Sequence, residues 1–116
     1  MKLNYVKIER ILEGLKELIE LELPVKTSFK IRKIIKTLSS DYNVFVEERN
    51  NIIKKFELDE KGSIKSDEDK NKAIELIHEI AIEEIEYNLE KITFDELGDC
   101  KIKTSTILNI DNILEE

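Results

Sequence analysis

The chain has 116 residues, of which 41% are hydrophobic and 39% are charged, and its formal net charge is -7. This length fits one domain of roughly 100–150 residues, so we expect a single domain over residues 1–116. The hydrophobic share is near the globular average, which argues against intrinsic disorder. The large charged share favours long amphipathic helices over sheets.

The cysteine content and the N-terminal segment bear on the compartment. Cys100 is the only cysteine, which excludes an internal disulfide and a Cys-rich zinc site. Lys7, Glu9 and Arg10 interrupt the apolar residues near the N-terminus, so no signal peptide is expected. No run of about 18 apolar residues is present, so no membrane-spanning helix is expected. These observations predict a soluble intracellular protein.

The first predicted element is an amphipathic helix that ends near Leu23. Pro24 lacks an amide hydrogen and disfavours helical geometry in the residue before it, so the helix has to end there. Gly14 falls opposite the apolar stripe, so close packing at Gly14 is allowed but not required. The stripe follows helical spacing: Ile8, Ile11, Leu12, Leu15, Leu18 and Ile19.

A second and much longer helix follows, with Thr27 or Ser28 as its cap. Its seam predicts a nearly continuous helix of about 28 residues, about 40 Å long. We expect the first helix to fold back along part of it as a hairpin. The rest of the seam needs another partner, which is the third helix, a second copy of the chain or a foreign protein. The seam alternates steps of four and three: Ile31, Ile35, Leu38, Tyr42, Phe45, Arg49, Ile52 and Phe56.

A turn and a third helix come next. Gly62 supplies a positive φ in the turn over residues 57–66. Ser66 and Asp69 form a capping signal, and acidic residues suit the positive end of the helix dipole. The third helix is predicted to bury five apolar residues: Ala73, Ile74, Ile77, Ile80 and Ala81.

The remaining segment predicts an extended stretch and two short helices. Alternation of Ile85, Tyr87 and Leu89 with polar residues predicts an extended segment through about residue 92. Thr93 and Glu96 form a second capping box, and the chain then ends in a short helix. That helix is capped by Thr104, Ser105 or Thr106 and buries one face: Ile107, Leu108, Ile110, Ile113 and Leu114. The fold class is therefore mainly α (α+β), a long helical hairpin plus a third helix, a short extended segment and a short C-terminal helix.

Charge is separated along the chain. Residues 26–56 carry eight basic and three acidic residues, whereas residues 57–99 carry five lysines and fifteen acidic residues. The basic segment Lys26 to Lys36 has no aromatic stacking platform and no helix-turn-helix spacing, so nucleic-acid binding is not expected. The acidic stretch is either a solvated face or a surface that fits a basic cleft on a partner. The two charged halves can also face each other within the fold or across a dimer.

The sequence contains no complete catalytic or metal-binding motif. Glu75 and His78 have the spacing of di-iron bundles, but such sites need a second motif of this kind, and His78 is the only histidine. Cys100 has no histidine near it in sequence to act as a base. The three glycines form no phosphate-binding loop. We therefore expect no enzyme activity, no catalytic residue, no cofactor and no metal.

Arg49 is unusual because it occupies a seam position between Phe45 and Ile52. Its aliphatic stem can pack while the guanidinium reaches a neighbouring glutamate. Alternatively, it fixes the helix register or binds a partner's carboxylate. The candidate partner-binding residues are thus Arg49 and four residues of the acidic stretch: Glu83, Glu84, Glu86 and Glu90.

Two runs carry a resemblance to a known group of proteins. They are Leu23-Pro24-Val25-Lys26-Thr27-Ser28-Phe29-Lys30-Ile31 and Val46-Glu47-Glu48-Arg49-Asn50-Asn51-Ile52-Ile53-Lys54-Lys55-Phe56. With the charged turn and acidic segment that follow, the chain resembles small uncharacterised accessory proteins of tailed phages and prophages of Gram-positive bacteria. The resemblance implies phage origin, a location in the host cytoplasm and an accessory role without enzymatic chemistry. It transfers no site residues.

The leading hypothesis is a non-enzymatic phage protein that binds another protein. It would act as an acidic, anti-defence inhibitor of a bacterial host enzyme or defence complex. The alternative is a self-associating virion or assembly accessory protein that forms a homodimer through the long helix. The expected partner is a bacterial host protein or protein complex, or a second copy, and neither nucleic acid nor a membrane.

Overall fold

Three helices form the body of the molecule, and short strands and smaller helices complete it. The computed structural model describes residues 1–115. The elements are β1 (Lys2–Leu3), α1 (Tyr5–Leu18), α2 (Val25–Lys54), α3 (Asp67–Ala81), β2 (Ile85–Glu86), β3 (Ile92–Thr93), α4 (Phe94–Leu97), α5 (Thr104–Asn109), a 3-10 turn (Asp111–Ile113) and β4 (Leu114–Glu115). The predicted mainly α fold is confirmed.

The starts of the helices follow local sequence at some sites and not at others. The Ser66 side chain accepts a hydrogen bond from the Asp69 amide, as predicted for the start of α3. The predicted cap of α2 is wrong, because α2 begins at Val25 with Pro24 at the N-cap and no side-chain cap. Thr27 lies inside the helix, and its hydroxyl donates to the Glu96 carbonyl oxygen at 2.6 Å.

The long helix and the hairpin are confirmed. α2 spans 30 residues, and α1 packs along its first part. The Tyr5 ring, at the start of α1, stacks on Phe45 with 4.8 Å between ring centroids. α1 and α2 therefore run antiparallel. The main core lies between them and the C-terminal elements: Leu3, Ile8, Ile11, Leu12, Leu15, Leu18, Ile31, Ile34, Leu38, Tyr87, Ile92, Leu97, Ile110, Ile113 and Leu114.

The second half of α2 packs against α3, which is one of the three partners that the sequence left open. A small separate cluster holds these two helices together: Ile52, Ile64 and Ala73, with Ile53, Phe56, Leu58, Ile77 and Ile80 partly buried. Gly62 has a φ of +81° in the turn between them, as predicted. The predicted burial of Ile74 is wrong, because this side chain is exposed. α3 reaches the cluster through Ala73 and Ile77 instead.

The extended segment after α3 is confirmed and links both ends of the chain. β2 pairs with β1 in antiparallel orientation, and β3 pairs with β4 in parallel orientation. Between β2 and β3, Tyr87 is buried and its hydroxyl donates to Asp41 Oδ2 of α2 at 2.5 Å. Burial and this carboxylate raise the pKa of Tyr87 well above its ordinary value. The extended segment is thus attached to β1, α2 and β4.

The C-terminal helices cover α1. The capping box of Thr93 and Glu96 is present at α4, as predicted. The predicted cap of α5 is wrong, since Lys103 occupies the N-cap and no side chain caps the helix. Thr106 is buried and its hydroxyl donates to the Glu17 carboxylate of α1. Leu108 was expected to be buried but is exposed.

The molecule is elongated. Its extents are 51 × 28 × 21 Å, and its radius of gyration is 17.3 Å, against about 13 Å for a compact chain of 100 residues. The length follows from α2, since the main core with α1 covers it as far as Tyr42 and Phe45, whereas its last turns pack only against α3 and the preceding turn. One end of the molecule therefore has much less buried apolar area than the other.

Candidate partner-binding surfaces

α3 is poorly covered by the rest of the molecule. Its only fully buried residues are Ala73 and Ala81, which have the smallest apolar side chains in the helix. By contrast, Ile74 is 63% exposed, Leu76 is 41% exposed and Ile82, directly after the helix, is 49% exposed. Ile77 and Ile80 are partly buried on the inner side, but a surface helix seldom leaves so many large apolar side chains in solvent.

Acidic side chains lie between these apolar residues. Glu75, Glu79 and Glu83 are exposed on or directly after α3, and their spacing of four places them in one row along the helix. Ile74 and Leu76 are two positions apart, so they lie on opposite sides of this row. We call the exposed set of Ile74, Leu76, Ile82, Glu75, Glu79 and Glu83 the α3 face. It combines an acidic row with apolar side chains on both sides.

An apolar groove lies beside the α3 face. Its volume is about 360 Å³, and it is open to solvent. The turn after α2 supplies Gly62 and Ile64, and α3 supplies Ala73, Ile74 and Ile77. Ile74 thus both lines the groove and projects from the helix next to it.

The four acidic residues predicted to bind a partner differ in their surroundings. Glu83 and Glu84 are exposed, and neither forms an ion pair within residues 1–115. Glu86 accepts a hydrogen bond from the Met1 ammonium group at 3.1 Å. The Glu90 carboxylate lies 4.0 Å from Lys30 Nζ. Two of the four carboxylates therefore already have a cationic neighbour.

Lys30 shows that the basic and acidic halves of the sequence face each other within the fold. Its Nζ donates to both carboxylate oxygens of Glu96, at 2.9 and 3.1 Å, and to the Lys91 carbonyl oxygen at 2.6 Å. Hydrogen bonds from Lys30 and from the Thr93 amide hold the pKa of Glu96 below its ordinary value. This group joins α2 to α4, so its role is structural.

Arg49 does not join the acidic residues. Its guanidinium carbon lies 5.9 Å from the centroid of the Phe45 ring, which suits a cation–π contact. It forms no ion pair in the part of the chain that the structure describes. Lys30, the neighbour of Glu90, lies 19 positions away along α2, which is about 28 Å. Arg49 and Glu90 therefore belong to different regions of the surface.

The two most reactive side chains considered from the sequence, those of His78 and Cys100, are far apart. His78 is exposed on α3, which packs against the second half of α2. Cys100 is half-buried, and its thiol donates to the Glu22 carbonyl oxygen at 2.8 Å, close to the start of α2. Among residues 1–115, no group of three His, Cys, Asp or Glu side chains could hold a metal ion.

The chain matches no family model, no curated protein and no solved structure. The phage resemblance therefore stays a prediction. In the described part of the chain, no helix has both the length and the apolar character needed to cross a membrane.

Of the residues in the α3 face, only Glu83 was predicted from sequence to bind a partner; the exposed apolar side chains were not. Ile74 and Ile77 both fit a helical stripe, and only the position of α2 decides which of them is covered. The alanines of α3 were one indication in the sequence. Ala73 and Ala81 at core positions indicate that the helix packs closely and buries little apolar area.

Proposed function

We propose that this protein is a non-enzymatic binding protein that docks another protein through the α3 face. The exposure of Ile74, Leu76 and Ile82 beside a row of acidic residues carries this proposal. Full burial of a Leu or Ile side chain is worth about 1.5–3 kcal/mol, so covering these three supplies useful affinity. The neighbouring carboxylates favour a partner surface that is basic and has apolar pockets.

The finer assignment follows the sequence resemblance. We propose a phage accessory protein in the host cytoplasm, whose acidic surface occupies a basic cleft on a bacterial enzyme or defence complex and inhibits it. Glu83 and Glu84 are the best placed of the predicted partner-binding residues, because both are exposed and neither forms an ion pair within residues 1–115. Glu86, Glu90 and Arg49 have intramolecular contacts to lose.

The test is affinity capture from a bacterial lysate followed by quantitative mass spectrometry and measurement of the affinity for the captured protein. We expect a variant with Ile74→Ser, Leu76→Ser and Ile82→Ser to bind at least about tenfold more weakly, equivalent to ~1.4 kcal/mol. Glu83→Lys with Glu84→Lys should weaken the same interaction and reduce its salt dependence, because two lysines then offset the remaining charge of Glu75 and Glu79.

Leu108→Ser is the matched control, since Leu108 is also an exposed apolar side chain but lies on α5. It should leave the affinity unchanged. All of these positions are exposed, so circular dichroism should show folded protein for each variant. Capture that survives the serine variant, or that is lost equally in Leu108→Ser, would contradict the proposal.

The groove beside Ile74 supports a second candidate, self-association. A two-fold interface needs a surface that is complementary to itself, and here a projecting side chain lies next to a groove that is large enough to receive one. Light scattering over a concentration series distinguishes this candidate. A mass near twice 13.6 kDa that returns to the monomer value in Ile74→Ser would support it. A monomer at all concentrations would exclude it.

A further inference from the structure

The first half of α2 carries a second exposed surface, with charge opposite to that of the α3 face. Lys26, Arg32, Lys33 and Lys36 are all exposed on it. Lys30 lies in the same segment but is occupied by Glu96 and Glu90. No ion pair engages the other four cations in the described residues. They therefore form an exposed positive patch on a chain whose net charge is -7, and Glu90, which lines a groove together with Lys30 and Lys33, borders it on one side.

An aromatic ring lies in the middle of this patch. Phe29 is 60% exposed, although phenylalanine is among the residues most often buried. Its neighbours on the helical surface, three and four positions away, are Val25, Lys26, Arg32 and Lys33. Lys33 Nζ lies 4.6 Å from the ring centroid. We call Lys26, Phe29, Arg32, Lys33 and Lys36 the basic face.

We propose that the basic face binds single-stranded nucleic acid. Lysine and arginine attract the phosphates, and an exposed ring offers a platform on which an unpaired base can stack. The expectation from sequence was that no stacking platform accompanies the basic residues, but the outward position of Phe29 provides one. The segment from Lys26 to Lys36 extends about 15 Å along the helix.

Other anionic partners fit this surface less well. An acidic peptide would neutralise the cations but would leave Phe29 without a specific contact. An anionic membrane needs a broad apolar helix face beside the cations, whereas this segment exposes only Val25 and Phe29 as large apolar side chains. A duplex keeps its bases stacked on each other, so Phe29 would have no free base to contact.

The basic face is independent of the proposed protein-docking surface. α3 packs against the second half of α2, and Lys33 and Ile52 are 19 positions apart along this helix, about 28 Å. A protein bound at α3 would therefore leave the basic face open. Failure of one proposal has no bearing on the other, because the variants that test them lie in different halves of the molecule.

The test is fluorescence anisotropy with a labelled single-stranded oligothymidylate of 15 nucleotides, a hairpin duplex of the same strand length and a labelled polyglutamate peptide. We expect micromolar affinity for the single strand at low salt. The logarithm of the binding constant should fall against the logarithm of salt concentration with a slope of about -2 to -3, because up to four cations contact phosphates.

Substitutions separate stacking from charge. Phe29→Leu, which keeps an apolar side chain but removes the ring, should weaken binding roughly 5-fold or more, and Phe29→Trp should retain it. Lys26→Gln with Lys33→Gln should weaken binding and make the salt slope shallower by about one to two. The matched control is Lys54→Gln with Lys55→Gln, which removes the same charge from exposed residues at the other end of α2 and should change nothing.

Each other outcome overturns the proposal. No binding of the single strand at low salt would exclude the nucleic-acid site. Equal affinity for the duplex, or an unchanged affinity in Phe29→Leu, would exclude stacking on the ring. Tighter binding of polyglutamate than of the oligonucleotide would assign the basic face to an acidic protein. Equal loss in the Lys54 and Lys55 control would show attraction by general charge alone.

Discussion

Single residues decide how closely the elements approach. Gly14 is buried on α1, and a Cβ atom at this position would lie 2.6 Å from Ile110 Cγ2 and 3.3 Å from the Thr106 carbonyl oxygen. Close packing at Gly14 is therefore required, although sequence spacing alone left it optional. The helix periodicity describes one stripe of α1, whereas α5 covers a second stripe that only the tertiary fold reveals.

We expect Gly14→Ala to destabilise the protein by about 1–2 kcal/mol. Overpacking against Ile110 destabilises the folded protein by more than the higher helix propensity of alanine stabilises it. Urea unfolding of the variant measures this, and Glu13→Ala, an exposed neighbour on α1, should stay within about 0.5 kcal/mol of the original protein. A gain in stability for Gly14→Ala would contradict the close contact with α5.

Hydroxyl side chains show which contacts of a residue can be predicted from sequence. Ser66 and Thr93 were predicted as caps from the acidic residue three positions ahead of each, and each does bond to the amide of that residue. Thr27 and Thr106 were expected to cap helices as well, but their partners are Glu96 and Glu17, which are 69 and 89 positions away. Local capping is a property of the sequence, whereas these long-range bonds depend on how the elements pack.

At the scale of elements, α4 is held to α2 by a charged contact. Lys30 and the Thr93 amide both donate to the Glu96 carboxylate, which lowers the pKa of this group. When folding lowers the pKa of a carboxyl group, that group stabilises the protein at pH values above its ordinary pKa of about 4.3. That contribution is lost as the pH falls through the lower, folded-state pKa.

Glu96→Gln tests this contact. The variant keeps one acceptor oxygen but removes the charge and the second oxygen, so we expect a loss of about 1 kcal/mol at pH 7. The difference from the original protein should shrink below pH ~4.3 and vanish in stronger acid. Urea unfolding at a series of pH values measures it. The control is Glu90→Gln, because Glu90 is exposed and its carboxylate lies 4.0 Å from Lys30 Nζ. A loss of stability in Glu96→Gln that does not change with pH would contradict the ionic cause.

At the candidate site, too, the sequence predicts some features of a helix and leaves others to the packing of the elements. The charges of α3 were predictable, because charged side chains remain in solvent whichever way the helix turns. Which apolar residues are covered was not predictable, since Ile74 and Ile77 lie on adjacent rows and only Ile77 packs into the cluster with α2. The hairpin and the long helix were predictable because their seam extends without interruption.

At the scale of the whole molecule, stability is unevenly distributed. The main core has fifteen buried residues, whereas the cluster between α2 and α3 has three. Segments with few buried apolar contacts open locally at low free energy. The α3 end of the molecule should therefore fluctuate while the α1 hairpin stays closed.

Hydrogen exchange measured by mass spectrometry tests this difference. Peptides from α3 and the turn over residues 57–66 should exchange at least about tenfold faster than peptides from α1, which corresponds to a difference of ~1.4 kcal/mol in opening free energy. The fully buried residues of α1, such as Ile8 and Ile11, provide the internal reference. Uniform protection across α1 and α3 would contradict the separate behaviour of the two clusters.

The pairing of the short strands has a consequence for the order of folding. The hydrogen bond from the Met1 amino group to the Tyr87 carbonyl oxygen joins residues that are 86 positions apart. β3 pairs with β4, which lies close to the C-terminal end of the described residues. Contacts between distant residues slow folding more than local helical contacts do. Although helices dominate this protein, we therefore expect the pairing of the four two-residue strands within the described chain to be among the later steps of folding.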